Sequence, residues 1–341
     1  MTTMNRRVLL RRRPVGEPTP DDFEVVESPV PEPAAGQALL RTVWLSLDPY
    51  MRGRMDEGIS YTGTPNPALG DVMVGGTVSE VIVSNHRDLA VGDVVVGAQG
   101  WQAYAVAGPR GLRKVDPSAA PISTALGVLG MPGLTAYVGL LDIGQPRPGE
   151  TVVVSAATGA VGAVVGQMAK IKGCRVVGVA GAQAKCDYAV KELGLDACVS
   201  HRAPDLQAAL KAACPDGLDV YFDNVGGAVL AAVLRLINRN ARIPLCGLIS
   251  EYNARERPPG PNLRPVLTQR ALVRGFIVGD HTDRMADFLR DGTAWLREGR
   301  LRYREDVVEG LERAPEAFIG LLRGANFGKL LVRVGPEPAR R

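Results

Sequence analysis

Metal-binding patterns are missing from this chain. Its 341 residues hold five cysteines and three histidines. Cys174, Cys186, Cys198, Cys214 and Cys246 stand far apart, and His86, His201 and His281 each stand alone. With no C-x-x-C pair, this spacing excludes the common zinc sites. An odd number of scattered thiols also argues against a disulfide framework and fits reduced, mostly buried cysteines of the cytoplasm. Long hydrophobic runs are missing too. The nearest case, Ile122 to Leu141, is cut by Gly127, Gly130, Pro132, Gly133 and Gly139, so no membrane span is expected. An excess of one charge is nearly missing: 40 basic against 36 acidic residues leave a formal net charge of +4. The clusters Arg6-Arg7, Arg11-Arg12-Arg13 and Arg340-Arg341 have no aromatics between them. They read as solvated termini rather than a nucleic-acid surface. Arg6-Arg7-Val8-Leu9-Leu10 superficially resembles a twin-arginine address, but its apolar run stops at Arg11, too short for a signal segment.

What is present is a soluble, globular composition with 46% hydrophobic residues, long enough for about two domains. The first 120 or so residues read as β-rich. Ala38 to Leu47, Val72 to Val83, Val91 to Ala98 and Trp101 to Ala107 are strand-like, punctuated by Gly36, Gly70-Asp71, Gly92-Asp93 and Gly100. A small barrel or sandwich is expected there. From about Ile122, strand-like and helix-like segments alternate: Val152–Ser155, Ala160–Lys172, Arg175–Val179, Gln183–Leu193, Ala197–Ser200, Asp205–Ala213, Val220–Asn224, Ala228–Asn238 and Arg242–Cys246. That rhythm predicts an α/β fold, a doubly wound parallel sheet. A further helix is expected over Arg284 to Arg300 and a strand over Gly328 to Val334.

The strongest local signal is a strand, Thr151 to Ser155, that ends in the turn Ala156-Ala157-Thr158-Gly159-Ala160-Val161-Gly162 and opens a helix. Free backbone N–H groups and the positive end of a helix dipole suit a dinucleotide pyrophosphate. Gly162 lets the helix approach the strand closely. In an NAD site an acid about 20 residues on holds the ribose 2′-OH. Here that region reads Val176-Val177-Gly178-Val179-Ala180-Gly181, followed by Lys185. A small-residue strand end with a lysine accepts the 2′-phosphate that an acid would repel, so the expected cofactor is NADP(H).

Seven segments, taken together, resemble the medium-chain dehydrogenase/reductase superfamily. They are Arg7 with Arg13-Pro14-Val15-Gly16-Glu17-Pro18; Ser46-Leu47-Asp48-Pro49-Tyr50-Met51-Arg52; Leu129 to Tyr137; Ala156 to Gly162; Tyr221 to Gly227; Cys246 to Asn253; and Asn326-Phe327-Gly328-Lys329. The likeness is to the zinc-independent branch that holds the leukotriene B4 12-hydroxydehydrogenases and prostaglandin reductases, the plant alkenal double-bond reductases and the bacterial curcumin reductases. The last are nearest, through Asn5-Arg6-Arg7 and the Arg13 to Pro18 run. The Gly-His-Glu motif and four-cysteine lobe of the zinc-bearing relatives are absent.

The resemblance implies a GroES-like β-rich substrate domain over residues 1–124, completed by 311–341, and a Rossmann NADP-binding domain over 125–310. It implies homodimers joined edge to edge through the Rossmann sheets. It places Thr158, Gly159, Ala160 and Val161 on the pyrophosphate and Lys185 on the 2′-phosphate. His201 stands where the family usually has a tyrosine near that phosphate; it reads either as a second donor or as a surface histidine, with Arg202 able to substitute. Asn224 is expected at the cofactor or as a helix cap. Cys246, Gly247, Leu248, Ile249 and Ser250 form a cofactor loop, with Cys246 a packing residue. Phe276, Ile277 and Val278 are expected to flank the nicotinamide through their backbone, and Asn326 to reach the cofactor from the C-terminal segment.

Tyr252 and Tyr50 are the expected catalytic side chains. A phenol with a pKa of about 10 is neutral at pH 7 and donates to a developing enolate; the alternative is a pocket wall. Without zinc ligands, nothing in the sequence polarises an alcohol or carbonyl oxygen as a metal would. Hydride addition to the β-carbon of an α,β-unsaturated ketone or aldehyde needs only alignment and a hydrogen-bond donor, followed by protonation at the α-carbon. The alternatives are zinc-independent NADPH:quinone reduction and a non-catalytic nucleotide-binding protein. The loops Glu57 to Leu69 and Tyr252 to Leu267, rich in Pro and Gly, are expected to form pocket walls.

Overall fold

The computed structural model describes residues 4–256 and 258–338. Arg340 and Arg341, read above as a solvated terminus, lie outside the described residues, as does Arg257 in the second pocket-wall loop. The chain divides into two compact units.

One unit runs to Leu126 and takes in Glu305–Asn326 and the chain from Leu330. Strands β1 (Met4–Leu10) and β2 (Phe23–Pro29) pair antiparallel along their whole length. β3 (Ala38–Ser46), β4 (Thr77–Ser84), β5 (Val94–Gly97), β6 (Tyr104–Ala107) and β7 (Arg113–Lys114) form an antiparallel sheet with two late strands, Glu305–Glu309 and Lys329–Arg333. β3 is its centre because it has a partner on both sides: β4 on one, and on the other β6 at its start and Leu331–Arg333 at its end. All but one of its nine residues are buried, the exception being the half-buried Arg41. Phe23, Trp101 and Phe318 close the core, stacked or edge-on at 5.6–6.4 Å. A single helical turn, α1 (Met51–Arg54), follows Tyr50.

One expectation is corrected here. Arg6 and Arg7 are not a solvated tail but part of β1. Val8 and Leu10 face the core, and Arg6 reaches Glu27 at 3.3 Å and Glu312 at 2.9 Å. Arg12 likewise bonds the buried Asp22 at 2.5 Å.

The other unit comprises Gly127–Arg304 with Phe327–Lys329. Strands β8 (Thr151–Ser155), β9 (Arg175–Ala180), β10 (Ala197–Ser200), β11 (Leu218–Phe222), β12 (Ile237–Leu245) and β13 (Leu272–Gly275) are parallel, in the order β10-β9-β8-β11-β12-β13. Helices α2 (Met131–Tyr137), α3 (Gly162–Ile171), α4 (Gln183–Lys191), α5 (Leu206–Ala213) and α6 (Gly227–Leu234) connect or cover it. The expected α/β doubly wound sheet is therefore present. Its strand order reverses between β8 and β11, and ligands of such sheets sit at the carboxyl ends of the strands on either side of that point.

Two local readings change. The helix expected to reach Asn238 stops at Leu234, and β12 already begins at Ile237. A register shift and the left-handed Asn240 (φ 62°) absorb the polar run Asn238-Arg239-Asn240. Helix α3, expected from Ala160, begins at Gly162 and is buried over most of its length. Its Gln167 side chain is tied to both the N–H and the C=O of Arg302, at 2.7 and 2.9 Å. Among the described residues no helix is long and apolar enough to cross a membrane.

Candidate active site

The turn after β8 is built by close approach. Ala156 takes the left-handed φ of 50°, unusual for a residue with a Cβ. Its carbonyl then lies so near α3 that a Cβ on Gly162 would stand 2.2 Å from it. A Cβ on Gly159 would meet the same oxygen at 3.2 Å. The first helical N–H to bond back is that of Ala163, to Gly159 at 3.0 Å. The N–H groups of Ala160, Val161 and Gly162 thus precede the helix's ladder, at the positive end of its dipole. This cradle fits a pyrophosphate.

At the end of β9, Gly181 stands where small residues were noted. A Cβ there would meet His201 Nε2 at 3.1 Å and Arg202 Nε at 4.0 Å. Ser200 Oγ donates to Gly181 O at 3.0 Å and accepts from Arg202 N–H at 3.2 Å, which fixes the turn. Lys185 lies in the first turn of α4, its N–H bonded to Ala182 O at 3.0 Å. Partial burial, then the charges of Arg202 and Lys185, lower the pKa of His201. Three bases therefore act on one spot, and Arg202, weighed above only as a substitute, is among them. The group fits a phosphate monoester on a ribose.

Across the switch point, two loops are zipped together. Cys246 and Gly247 N–H donate to Asp223 O at 2.8 and 3.1 Å, and Ser250 N–H and Oγ to Val225 O at 3.1 and 2.6 Å. The glycines allow it. A Cβ on Gly226 would lie 2.6 Å from Leu248 Cδ2, and one on Gly227 would lie 2.8 Å from Ser250 Oγ. Asn224 is not the cap of α6, which is Gly226; its Nδ2 donates to Ser155 O at 2.8 Å, joining the ends of β8 and β11. Beneath it, fully buried Asp223 takes four hydrogen bonds on Oδ1: from Ser155 Oγ (3.2 Å), Tyr221 Oη (2.8 Å), and the N–H groups of Val225 and Gly226 (2.9 Å each). Its Oδ2 has no partner among the described residues. Burial and then Asp223 push the Cys246 thiol up to about 12, so it stays protonated and is a poor nucleophile.

Tyr252 follows a short 3-10 turn, Ile249–Glu251, and folds back over its own loop. A Cβ on Gly247 would stand 3.2 Å from the Tyr252 hydroxyl and 3.4 Å from Asn224 O. Burial raises its pKa, partly opposed by the Leu248 backbone, so the phenol holds its proton at neutral pH. Nearby, the Phe276 ring turns inward, edge-on to Phe222 at 6.3 Å. A Cβ on Gly139 would meet both rings within 2.7 Å. At Phe276 the backbone, rather than the ring, is what remains for a ligand.

In the first unit, Tyr50 sits on a pinned segment. Ser46 Oγ donates to Asp48 Oδ2, and Arg52 bonds Gly16 O at 3.0 Å and Asp56 at 2.7 Å. That links the Arg13 to Pro18 run to the Ser46 to Arg52 segment, two motifs that are far apart in the chain. Burial, then Asp48 and Tyr61, raise the Tyr50 pKa strongly. Asn326 directly precedes Phe327, whose ring is edge-on to Tyr188 of α4 at 5.0 Å and carries the Arg304 guanidinium at 4.3 Å.

Glycine cradle, strand order and the basic cluster after β9 define the class: a nucleotide-binding oxidoreductase fold. Comparison with known proteins agrees. The family described as N-terminal domain of oxidoreductase matches residues 6–115, and that described as zinc-binding dehydrogenase matches residues 160–291. The NADPH-dependent curcumin reductase of Escherichia coli (strain K12) is 54% identical over 339 residues, 98% of this chain and 98% of its own length. The 2-alkenal reductase (NADP(+)-dependent) of Nicotiana tabacum is 40% identical over 339 residues, again 98% of each chain. The crystal structure of CurA in complex with NADPH from Vibrio vulnificus superposes with a TM-score of 0.92 at 50% identity, covering 97% of this chain and 100% of that one. The chain belongs to the zinc-independent branch of the medium-chain dehydrogenase/reductases. Among the described residues no group of three or more His, Cys, Asp or Glu side chains could hold a metal ion.

Proposed function

We infer that this protein is an NADPH-dependent reductase that acts on the C=C bond of α,β-unsaturated ketones and aldehydes. The observation that carries the reading is the pairing of a three-base cluster after β9 with a protonated phenol held over Gly247 at the carboxyl end of the same sheet. Thr158, Gly159, Ala160 and Val161 would hold the pyrophosphate; Lys185, His201 and Arg202 the 2′-phosphate. Asn224, the Cys246 to Ser250 loop, Tyr252 and the backbone of Phe276, Ile277 and Val278 would hold the nicotinamide half. When bound, NADPH supplies the hydride that reaches the substrate β-carbon. Tyr252 donates a hydrogen bond to the enolate oxygen that develops, either directly or through a ribose hydroxyl. Both phenols keep their protons at neutral pH, since both pKa values lie above the usual 10.

The protein works as a cytoplasmic homodimer in this reading. Five free cysteines suit a reducing compartment. Strand β13 ends the parallel sheet with all four residues exposed, an edge unpaired among the described residues that a second copy can extend. The decisive experiment follows NADPH absorbance with purified protein against simple enones, 2-alkenals, curcumin and a quinone. Reduction of the enone double bond, identified in the product by mass and NMR, is expected. Turnover of the quinone alone would replace this reading.

A further inference from the structure

His201 and Arg202 converge on Gly181 from the turn after β10, and Lys185 lies in the first turn of α4, close enough for its charge to act on His201. A phosphate placed over Gly181 would therefore meet an imidazole and two permanent cations. The two cations bear on the imidazole as well: Arg202 from its own turn and Lys185 from α4 are the charged groups that act on His201. The residue is only partly buried, so a proton still reaches it from solvent. Its backbone is fixed nonetheless, with His201 N–H bonded to Ala180 O at 2.9 Å.

We propose that His201 is a proton-gated contact to the 2′-phosphate, which makes the preference for NADPH over NADH grow as the pH falls. The proposal rests on the NADPH reading above and adds a regulation of the same site. In the free protein, partial burial and two neighbouring cations disfavour the imidazolium. A phosphate dianion brings negative charge within reach of all three bases and reverses that balance. Binding then takes up a proton from solvent, so affinity rises as pH falls through the range in which the bound His201 protonates. The phosphate's own second pKa is near 6, so the gain levels off below about pH 6. A cofactor without the 2′-phosphate offers no such charge and gains nothing.

The test measures dissociation constants of NADP+ and NAD+ calorimetrically at constant ionic strength, in buffers of different ionisation enthalpy. Wild-type protein should bind NADP+ roughly three- to tenfold more tightly at about pH 6.5 than at about pH 8.5, with net proton uptake. NAD+ binding should stay flat. In His201→Gln, which keeps a donor but no titratable proton, NADP+ should still bind more tightly than NAD+, but with no pH slope and no proton uptake. A slope that survives in His201→Gln, or none in the wild type, overturns the proposal. Equal binding of NADP+ and NAD+ at every pH would instead remove the NADPH reading, and the proposal with it.

Discussion

Gly247 and Tyr252 are five residues apart, yet they act as one unit. The phenol lies close over the loop at position 247, where a Cβ would stand 3.2 Å from the hydroxyl oxygen and displace it by a few tenths of an ångström. Tyr252→Phe removes the donor and should lower kcat about a hundredfold with little change in NADPH affinity, as loss of one oxyanion donor does. Gly247→Ala keeps the phenol but shifts it, and should lower kcat about tenfold with the melting temperature nearly unchanged. The double variant should be no worse than Tyr252→Phe alone, because both changes act on the same hydrogen bond. Additive losses would mean that Gly247 acts elsewhere. At this scale the sequence made candidate side chains legible: Lys185 by its distance from the second strand, Tyr252 by its place after a buried strand. It did not reveal Asp223 as the hub under Asn224, nor why Gly226 and Gly227 are small. Those roles arise from contact between loops more than 20 residues apart, which no local pattern encodes.

Helix α3 and strand β8 are the elements that composition predicted best, because an apolar β-branched run and a glycine turn both report on local geometry. The turn itself is a feature of two elements at once. A Cβ on Gly162 would lie 2.2 Å from Ala156 O and 2.8 Å from Ala156 C, so α3 would have to lift away from β8. Gly162→Ala should cost about 1–3 kcal/mol. Calorimetry should show a lower melting temperature for the nucleotide-binding unit, and NADP+ should bind more weakly; an unchanged melt would show that the close approach is not needed. Less legible were the elements whose sequence conflicts with their surroundings. β1 carries two arginines and has no period-2 pattern strong enough to announce a strand; it is set by pairing with β2 and by Glu27 and Glu312. The loop from Glu57 to Leu69 was equally opaque. Its path depends on Arg13, which binds Met55 O, Asp56 O and Pro67 O, and on Arg54, which binds Thr64 Oγ1 and Pro65 O.

The parallel sheet has two edge strands, β10 and β13, and of these the β13 edge is unfinished. At the unfinished end, β13 exposes Leu272 by 52% and Val273 by 43%, and the preceding helix, Arg264–Gln269, exposes Leu267 by 78%. Burying such side chains is worth about 1.5–3 kcal/mol each, and an edge of unpaired N–H and C=O groups adds direction to the contact. A two-fold axis beside β13 would let the same strand meet itself, so one surface serves both copies. Sedimentation equilibrium at micromolar concentration should then give about twice the 36.2 kDa of the single chain. Val273→Lys places a charge on both sides of that axis. Because the side chain is exposed in the single chain, the substitution should leave NADP+ affinity and the fold intact while the mass falls to that of one chain. A wild-type mass of one chain, or a dimer that Val273→Lys leaves untouched, would move the contact away from β13.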